Sequence, residues 1–94
     1  MLFRSVIDAS HGNSGKDHVR QAVVTREIAA QISQGETGIG GVMLESFLVP
    51  GRQDIDQRPL TYGQSVTDAC MSWAATEEAL ATLARAVVAR RAAA

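Results

Sequence analysis

Two histidines, one cysteine and ten Asp and Glu residues hold most of the chemistry open to this chain. His11 directly follows a short apolar segment centred on Val6-Ile7, and Glu45 closes a second, Ile39-Gly40-Gly41-Val42-Met43-Leu44-Glu45. If the two segments are neighbouring parallel strands, their ends lie roughly 5 Å apart. An imidazole and a carboxylate placed that way can share one ion. Asp68 lies in a long irregular stretch and can fold back over the same edge. One imidazole and two carboxylates offer nitrogen and oxygen ligands, which suit Mn, Fe, Co or Zn better than a thiolate-selected metal. Each of the three also has a structural reading: His11 as a turn or surface residue, Glu45 as a solvated or helix-capping carboxylate, Asp68 as the cap of a turn.

The elements that must position these residues follow from pattern. Val6-Ile7 reads as the centre of a strand of four to six residues, and Gly12-Asn13-Ser14-Gly15 after it is turn chemistry. Ser14 with Asp17 three residues on resembles a capping box and places a helix start there. Val24, Ile28 and Ile32, with Ala29 beside them, form its apolar stripe, and Gly35 ends it after about Ser33. The segment from Ile39 to Glu45 is apolar on both faces, as expected of a parallel strand covered by helices. Residues 46–72 show no periodic element, and long loops in compact domains are often functional. Thr76 can cap a last helix, with Glu77 and Glu78 at its positive start and Arg85, Arg90 and Arg91 toward its negative end. Its stripe is Leu80, Leu83, Ala84, Val87 and Val88. Strand, helix, strand, long loop, helix makes two consecutive βα units of an α/β fold. In barrels built of such units, active sites form at the carboxyl ends of the strands, where His11 and Glu45 fall.

Other reactive residues have plainer readings. Cys70 reads as a small buried apolar residue, Trp73 as a packing anchor at the base of the last helix, and His18 as solvent-facing. Arg52, Arg58 and Lys16 read as surface charges, with an anion or phosphate contact as the alternative. Ser10 to Lys16 fails as a phosphate loop, because Ser10 stands where Gly is needed and Asp17 where Ser or Thr is needed. Gly38-Ile39-Gly40-Gly41-Val42-Met43 lacks the third glycine of the dinucleotide fingerprint and runs into a strand rather than a helix.

Composition bounds the rest. Ninety-four residues allow one small domain, and 46% hydrophobic with 20% charged residues is globular. Nine basic against ten acidic residues give a net charge of -1, which excludes binding to nucleic acid or a membrane surface through bulk charge. One cysteine excludes an internal disulfide and a Cys-rich zinc module. The apolar run from Ile39 to Leu44 is too short to span a bilayer, and Met1-Leu2-Phe3-Arg4 does not read as a signal peptide, so a cytoplasmic location is expected.

The wording of the segments adds a resemblance. Asp8-Ala9-Ser10-His11-Gly12-Asn13-Ser14-Gly15-Lys16 resembles the "DFSHANSSK" segment of bacterial amino-acid-regulated 3-deoxy-D-arabino-heptulosonate-7-phosphate (DAHP) synthases. Gly41-Val42-Met43-Leu44-Glu45-Ser46 resembles their "GVMVES". Leu60-Thr61-Tyr62-Gly63-Gln64-Ser65-Val66-Thr67-Asp68-Ala69-Cys70 resembles "LAYGKSITDAC", with Trp73 after it. Ala86-Val87-Val88-Ala89-Arg90-Arg91 resembles the closing "AVKARR".

The resemblance implies a (β/α)8 TIM barrel of which residues 1–94 are the C-terminal two βα units, strands seven and eight with their helices, incomplete alone. It implies a transferase that condenses phosphoenolpyruvate with erythrose 4-phosphate at the first step of the shikimate pathway of aromatic amino-acid biosynthesis. It implies a divalent metal held by His11, Glu45 and Asp68. That metal would act as a Lewis acid on the aldehyde oxygen while the enol carbon attacks, water adds and phosphate leaves by C–O cleavage. His11 and Asp68 would also position water or a substrate hydroxyl. The family's fourth ligand, a Cys near the first strand, and its substrate-phosphate residues have no counterpart here. Cys70 matches the Cys of "TDAC". Phe47 stands where the family often has His, Pro50 replaces an acidic residue, and the loop is one residue shorter than the family pattern.

A full barrel takes about 250 residues, so this chain alone is expected to lack synthase activity and to be unstable or self-associating. The parent is expected to be a homo-oligomer. Two alternatives stand beside this reading: a non-enzymatic assembly or metal-binding module, and a segment of the related 3-deoxy-octulosonate 8-phosphate synthase.

Overall fold

The computed structural model describes residues 4–15 and 17–93. Lys16, and with it the anion contact considered above, lies outside the described residues, as do residues 1–3 and Ala94.

The first strand, β1 (Ser5–Asp8), is followed by a single helical turn, α1 (His11–Ser14), which Gly15 closes in the left-handed region. The first long helix, α2 (His18–Ser33), begins later than the Ser14 capping box predicts. Its cap is Asp17, whose carboxylate accepts from the backbone N–H groups of Val19 at 2.9 Å and Arg20 at 3.4 Å. The Ser14 hydroxyl instead donates to the carbonyl of His11 within α1. The helix ends as expected, at Ser33, with Gly35 at φ +105° turning the chain.

The second strand, β2 (Ile39–Met43), pairs parallel with β1, as the strand–helix–strand order predicts. The register sets Val6 opposite Gly41, Ile7 opposite Val42 and Asp8 opposite Met43. One further bond, from Ala9 N–H to the Met43 carbonyl at 2.9 Å, extends the ladder past the strand ends. The strand stops at Met43, so Glu45 sits just beyond it rather than within it.

From Val6 and Gly41 onward, alternation along the strands decides which side chains are buried, and Ile39 reaches the same face across a register shift between Ser5 and Val6. Ile7, Ile39, Val42 and Leu44 pack against a core of Ala9, Val24, Ile28, Ala29, Ile32 and Ala86, supplied by the strand end and by the two long helices. The opposite face carries Val6 and Met43, 69% and 46% exposed. Burial on both faces, expected for β2, is therefore met on one face only. The molecule is correspondingly a slab, 53 × 24 × 17 Å, with a radius of gyration of 15.2 Å. A rounded domain of this length would have about 12 Å.

The stretch from residue 46 to residue 72 is not the featureless loop its lack of periodicity implies. It holds β3 (Val49–Arg52) and β4 (Gln64–Ser65), paired parallel, with bridges from Ser46 to Met71 and from Gly51 to Cys70. Gln53, nearly fully buried, organises it. Its side-chain N–H groups donate to the carbonyls of Thr61 and Gln64, and its side-chain oxygen accepts from Thr61 N–H at 2.8 Å. Gly63 at φ +80° packs so closely on Leu48 that an added Cβ would lie 2.9 Å from the Leu48 Cβ.

The last helix, α3 (Trp73–Ala93), starts three residues before Thr76, with Ser72 as its cap; the Ser72 hydroxyl accepts from Ala75 N–H at 3.1 Å. Thr76 instead lies buried, donating to the Ser72 carbonyl, and Glu77 and Glu78 fall beyond the first turn. The buried face is Thr76, Ala79, Leu83, Ala86 and Val87. Leu80 and Val88, placed in the apolar stripe by spacing, are 52% and 64% exposed. Trp73 is likewise 54% exposed rather than packed into the core. Arg90, in the last turn, donates to the carbonyl of Glu36 at 3.0 Å and ties α3 to the loop before β2. Among the described residues no helix is long and apolar enough to cross a membrane.

Truncating Ile28, only 4% exposed, to Ala is expected to lower unfolding free energy by about 2–5 kcal/mol. Leu80→Ala is expected to change it by no more than about 0.5 kcal/mol. Urea unfolding followed by circular dichroism makes the comparison, and equal losses would contradict this assignment of the core.

Candidate metal centre

The parallel register brings the carboxyl ends of β1 and β2 to one rim, and three side chains meet there. His11 Nε2 lies 2.7 Å from Glu45 Oε1 and 3.3 Å from Asp68 Oδ2. The donor atoms of all three fall within 4.8 Å of one another. That spacing is close enough for the three to converge on one ion.

Each residue reaches the rim by a different local device. His11 takes a left-handed backbone conformation, φ +48°, at the first position of α1. That conformation is uncommon for a side-chain-bearing residue and persists where the surroundings fix it. Glu45 is held through its main chain. Its N–H donates to the side-chain oxygen of Gln21 at 2.9 Å, and its carbonyl accepts from Met71 N–H at 2.9 Å. Asp68 lies between two anchored neighbours. Thr67 donates its N–H to the Ser65 hydroxyl and accepts at its carbonyl from Arg52 Nε, while Cys70 exchanges backbone hydrogen bonds with Gly51.

The imidazole is further engaged on its other nitrogen. Nδ1 lies 2.8 Å from Asp8 Oδ2 and 3.0 Å from the Ser10 hydroxyl. Asp8 is itself fixed, its other oxygen accepting from both the N–H and the hydroxyl of Ser10. The Ser10 hydroxyl bond, followed by the His11 bond, holds the Asp8 carboxyl down to about 2. The Asp8 hydrogen bond raises the His11 pKa against the opposing effect of desolvation, with the charges of Glu45, Asp8 and Asp68 adding to the rise. Three carboxylates around one imidazole leave an excess of negative charge at the rim. A nitrogen-and-oxygen donor set of that charge suits a divalent cation of the Mn, Fe, Co or Zn group. The residues present therefore fit such an ion.

The remaining candidates fall outside this cluster. Cys70 is half-buried, its Sγ directed at the Asp68 carbonyl at 3.5 Å, and burial pushes its thiol pKa up. His18 is half-buried at the start of α2 rather than fully solvent-facing, its ring beside Gly51. Arg52 donates to the Thr67 carbonyl and pairs with Asp54, and Arg58 donates to the carbonyls of Ile55 and Gln57. Both are exposed residues that stitch the loop.

Asp8, Ser10 and Gln21 are absent from a reading based on ligand types alone. Asp8 has a detectable signal, a carboxylate three residues before the His at a strand end. Gln21 has another. It lies in phase with Val24, Thr25 and Ile28 on the buried stripe of α2 and is 1% exposed, and a buried amide must find a partner.

Comparison with known proteins places these residues in a wider set. The family model described as the DAHP synthetase I family matches residues 2–81. The chain is 54% identical over 99 aligned residues to a phospho-2-dehydro-3-deoxyheptonate aldolase of Corynebacterium glutamicum, covering 97% of this chain and 27% of that protein. It is 52% identical to the Trp-sensitive enzyme of that name from Escherichia coli, covering 87% of this chain and 24% of the other. A solved structure of phospho-2-dehydro-3-deoxyheptonate aldolase from Francisella tularensis superposes with a TM-score of 0.89 at 52% identity, over 93% of this chain and 25% of that one. The chain thus spans about a quarter of the length of the curated relatives it matches.

Replacing Gln21 by Ala leaves the Glu45 N–H without its acceptor. Unfolding free energy is expected to fall by about 1–3 kcal/mol, with faster hydrogen exchange at the Glu45 amide. An unchanged exchange rate there would show that Gln21 does not hold this segment.

Proposed function

The chain belongs to the DAHP synthetase I family, and from that premise we propose that it is the carboxyl-terminal part of a synthase condensing phosphoenolpyruvate with erythrose 4-phosphate. In this reading residues 1–94 are the last two βα units of a (β/α)8 barrel, with β1 and β2 as strands seven and eight. The one-sided core, the open strand face at Val6 and Met43, and the quarter-length match to the relatives support it. The observation that carries the function is the meeting of His11, Glu45 and Asp68 at the carboxyl rim of two parallel strands, where barrel enzymes build their sites. The names borne by the matched relatives favour this reading over an octulosonate synthase or a non-enzymatic module.

The chemistry joins the enol carbon of phosphoenolpyruvate to the aldehyde carbon of the sugar phosphate. Water adds at the phosphate-bearing carbon, and phosphate leaves by cleavage of its C–O bond. A divalent cation of the Mn, Fe, Co or Zn group, held by His11 Nε2 and the carboxylates of Glu45 and Asp68, would supply Lewis acidity for the aldehyde oxygen. Three protein ligands leave positions for a further protein ligand, water or substrate. His11 and Asp68, each about 40% exposed at the side chain, are the two ligands open enough to approach a water or substrate hydroxyl as well. Glu45, at 24%, is the more enclosed and serves as the anchor. Contacts to the two substrates' phosphates fall to barrel units beyond these 94 residues.

The 94-residue chain by itself is expected to form no DAHP. Co-expression with a chain supplying the first six βα units of a family member is expected to restore metal-dependent formation that a chelator abolishes. In that assembly His11→Ala or Glu45→Ala is expected to cost more than the roughly 10–100-fold typical of residues that only support a ligand. Full turnover by the isolated chain, or a chelator-insensitive assembly, would overturn the reading.

A further inference from the structure

We propose that Asp8, braced by Ser10, is a positioning residue that holds His11 with Nε2 turned toward Glu45 and Asp68, so that this nitrogen is the one offered to a cation. The inference deepens the proposed function and rests on its reading of His11 as a ligand. An imidazole has two nitrogens, and which of them faces an ion is settled by the hydrogen bond that the other makes. Here that bond runs from Nδ1 to Asp8 Oδ2 at 2.8 Å.

Asp8 is suited to the task by its own constraints. It is the last residue of β1, so the sheet fixes its main chain opposite Met43. Its Oδ1 accepts from Ser10 N–H at 2.8 Å and from the Ser10 hydroxyl, and Ser10 is 1% exposed. The carboxylate therefore has little rotational freedom, and its second oxygen is aimed at the ring. The left-handed backbone at His11, φ +48°, brings the ring back over the strand end within reach of Asp8. Without the Asp8 acceptor, the Ser10 hydroxyl at 3.0 Å would be left to hold the Nδ1 side of the ring among the described residues. Two ring orientations would then compete, and only one of them presents Nε2 between the two carboxylates.

The test uses the chain in the co-expressed assembly with the first six βα units, with Zn(II) and Co(II) as probes. In the Zn(II)-loaded wild-type chain, long-range proton–nitrogen correlation spectra of His11 are expected to show Nδ1 protonated and Nε2 metal-bound. Asp8→Ala is expected to weaken Co(II) affinity by about 10–100-fold, the range typical for partners of metal-binding histidines. Asp8→Asn, which keeps an acceptor oxygen on the same stem, is expected to lose less, with the helical dichroism of all three chains unchanged. Metal bound through Nδ1 in the wild-type chain, or wild-type affinity in Asp8→Ala, would overturn the role of Asp8 and leave the metal-centre reading standing. Failure of the wild-type chain to bind either ion would overturn that reading and this inference with it. If Asp8→Ala loses its helical signal, the wild-type nitrogen assignment and the Asp8→Asn affinity decide.

Discussion

Parallel pairing of two short strands is the constraint on which the rest of this structure depends. Parallel strands need a crossover between them, and α2 supplies it. That crossover covers one face of the sheet with Val24, Ile28 and Ile32 and brings both carboxyl ends to one rim. An antiparallel pair would send His11 and Glu45 to opposite ends. The register matters equally, because Asp8 opposite Met43 sets His11 and Glu45 at comparable heights beyond the last paired residues. The contact of His11 with Glu45 follows from that registration.

The rim is also where the structure concentrates unlike-charge attraction that its core does not contain. Asp8, Glu45 and Asp68 surround a single imidazole, and the Asp8 hydrogen bond, with the charges of Glu45, Asp8 and Asp68, raises its pKa against desolvation. A protonated imidazole and a cation are two answers to the same electrostatic demand. In the first, both ring nitrogens donate to carboxylates. In the second, Nε2 would be the ligand while Nδ1 keeps its bond to Asp8. The two nitrogens thus face separate partners, Nδ1 the Asp8 carboxylate and Nε2 Glu45 and Asp68.

Strands, crossover helix and parallel pairing were legible because they rest on short-range pattern. The β-branched Val6-Ile7, the stripe from Val24 to Ile32 and the Gly35 stop each act within a few residues. The residue types of the site were legible too, because so few imidazoles and so few strand-end carboxylates compete for the role. What pattern did not reveal was long-range. Gln53 organises residues 46–72 through bonds to Thr61 and Gln64, and such a hub has no periodic signature. Helix starts were misplaced at Ser14 and Thr76 because both residues have the right side chain for a cap. In the folded chain, however, Ser14 binds the His11 carbonyl and Thr76 the Ser72 carbonyl. Local chemistry nominates several caps, and the backbone path chooses among them.

The misread face of α3 has a different cause. Leu80 and Val88 satisfy a helical apolar period as well as Leu83 and Val87 do, yet they turn outward, on a helix whose inner face uses Thr76, Ala79 and Ala86 to let α2 approach closely. Small residues mark the tight contact and large apolar ones mark a surface of another kind. The same asymmetry appears in the sheet, where Ile7 and Val42 are covered and Val6 and Met43 are open. A sequence that is apolar on both faces of a strand and around much of a helix encodes more burial than 94 residues can provide. In the proposed barrel reading, neighbouring strands and helices would cover both surplus surfaces, so the outward stripe of α3 and the half-covered strand fit one architecture. In the proposed reading, that same architecture would exclude water at the rim and complete the coordination of a cation held by His11, Glu45 and Asp68.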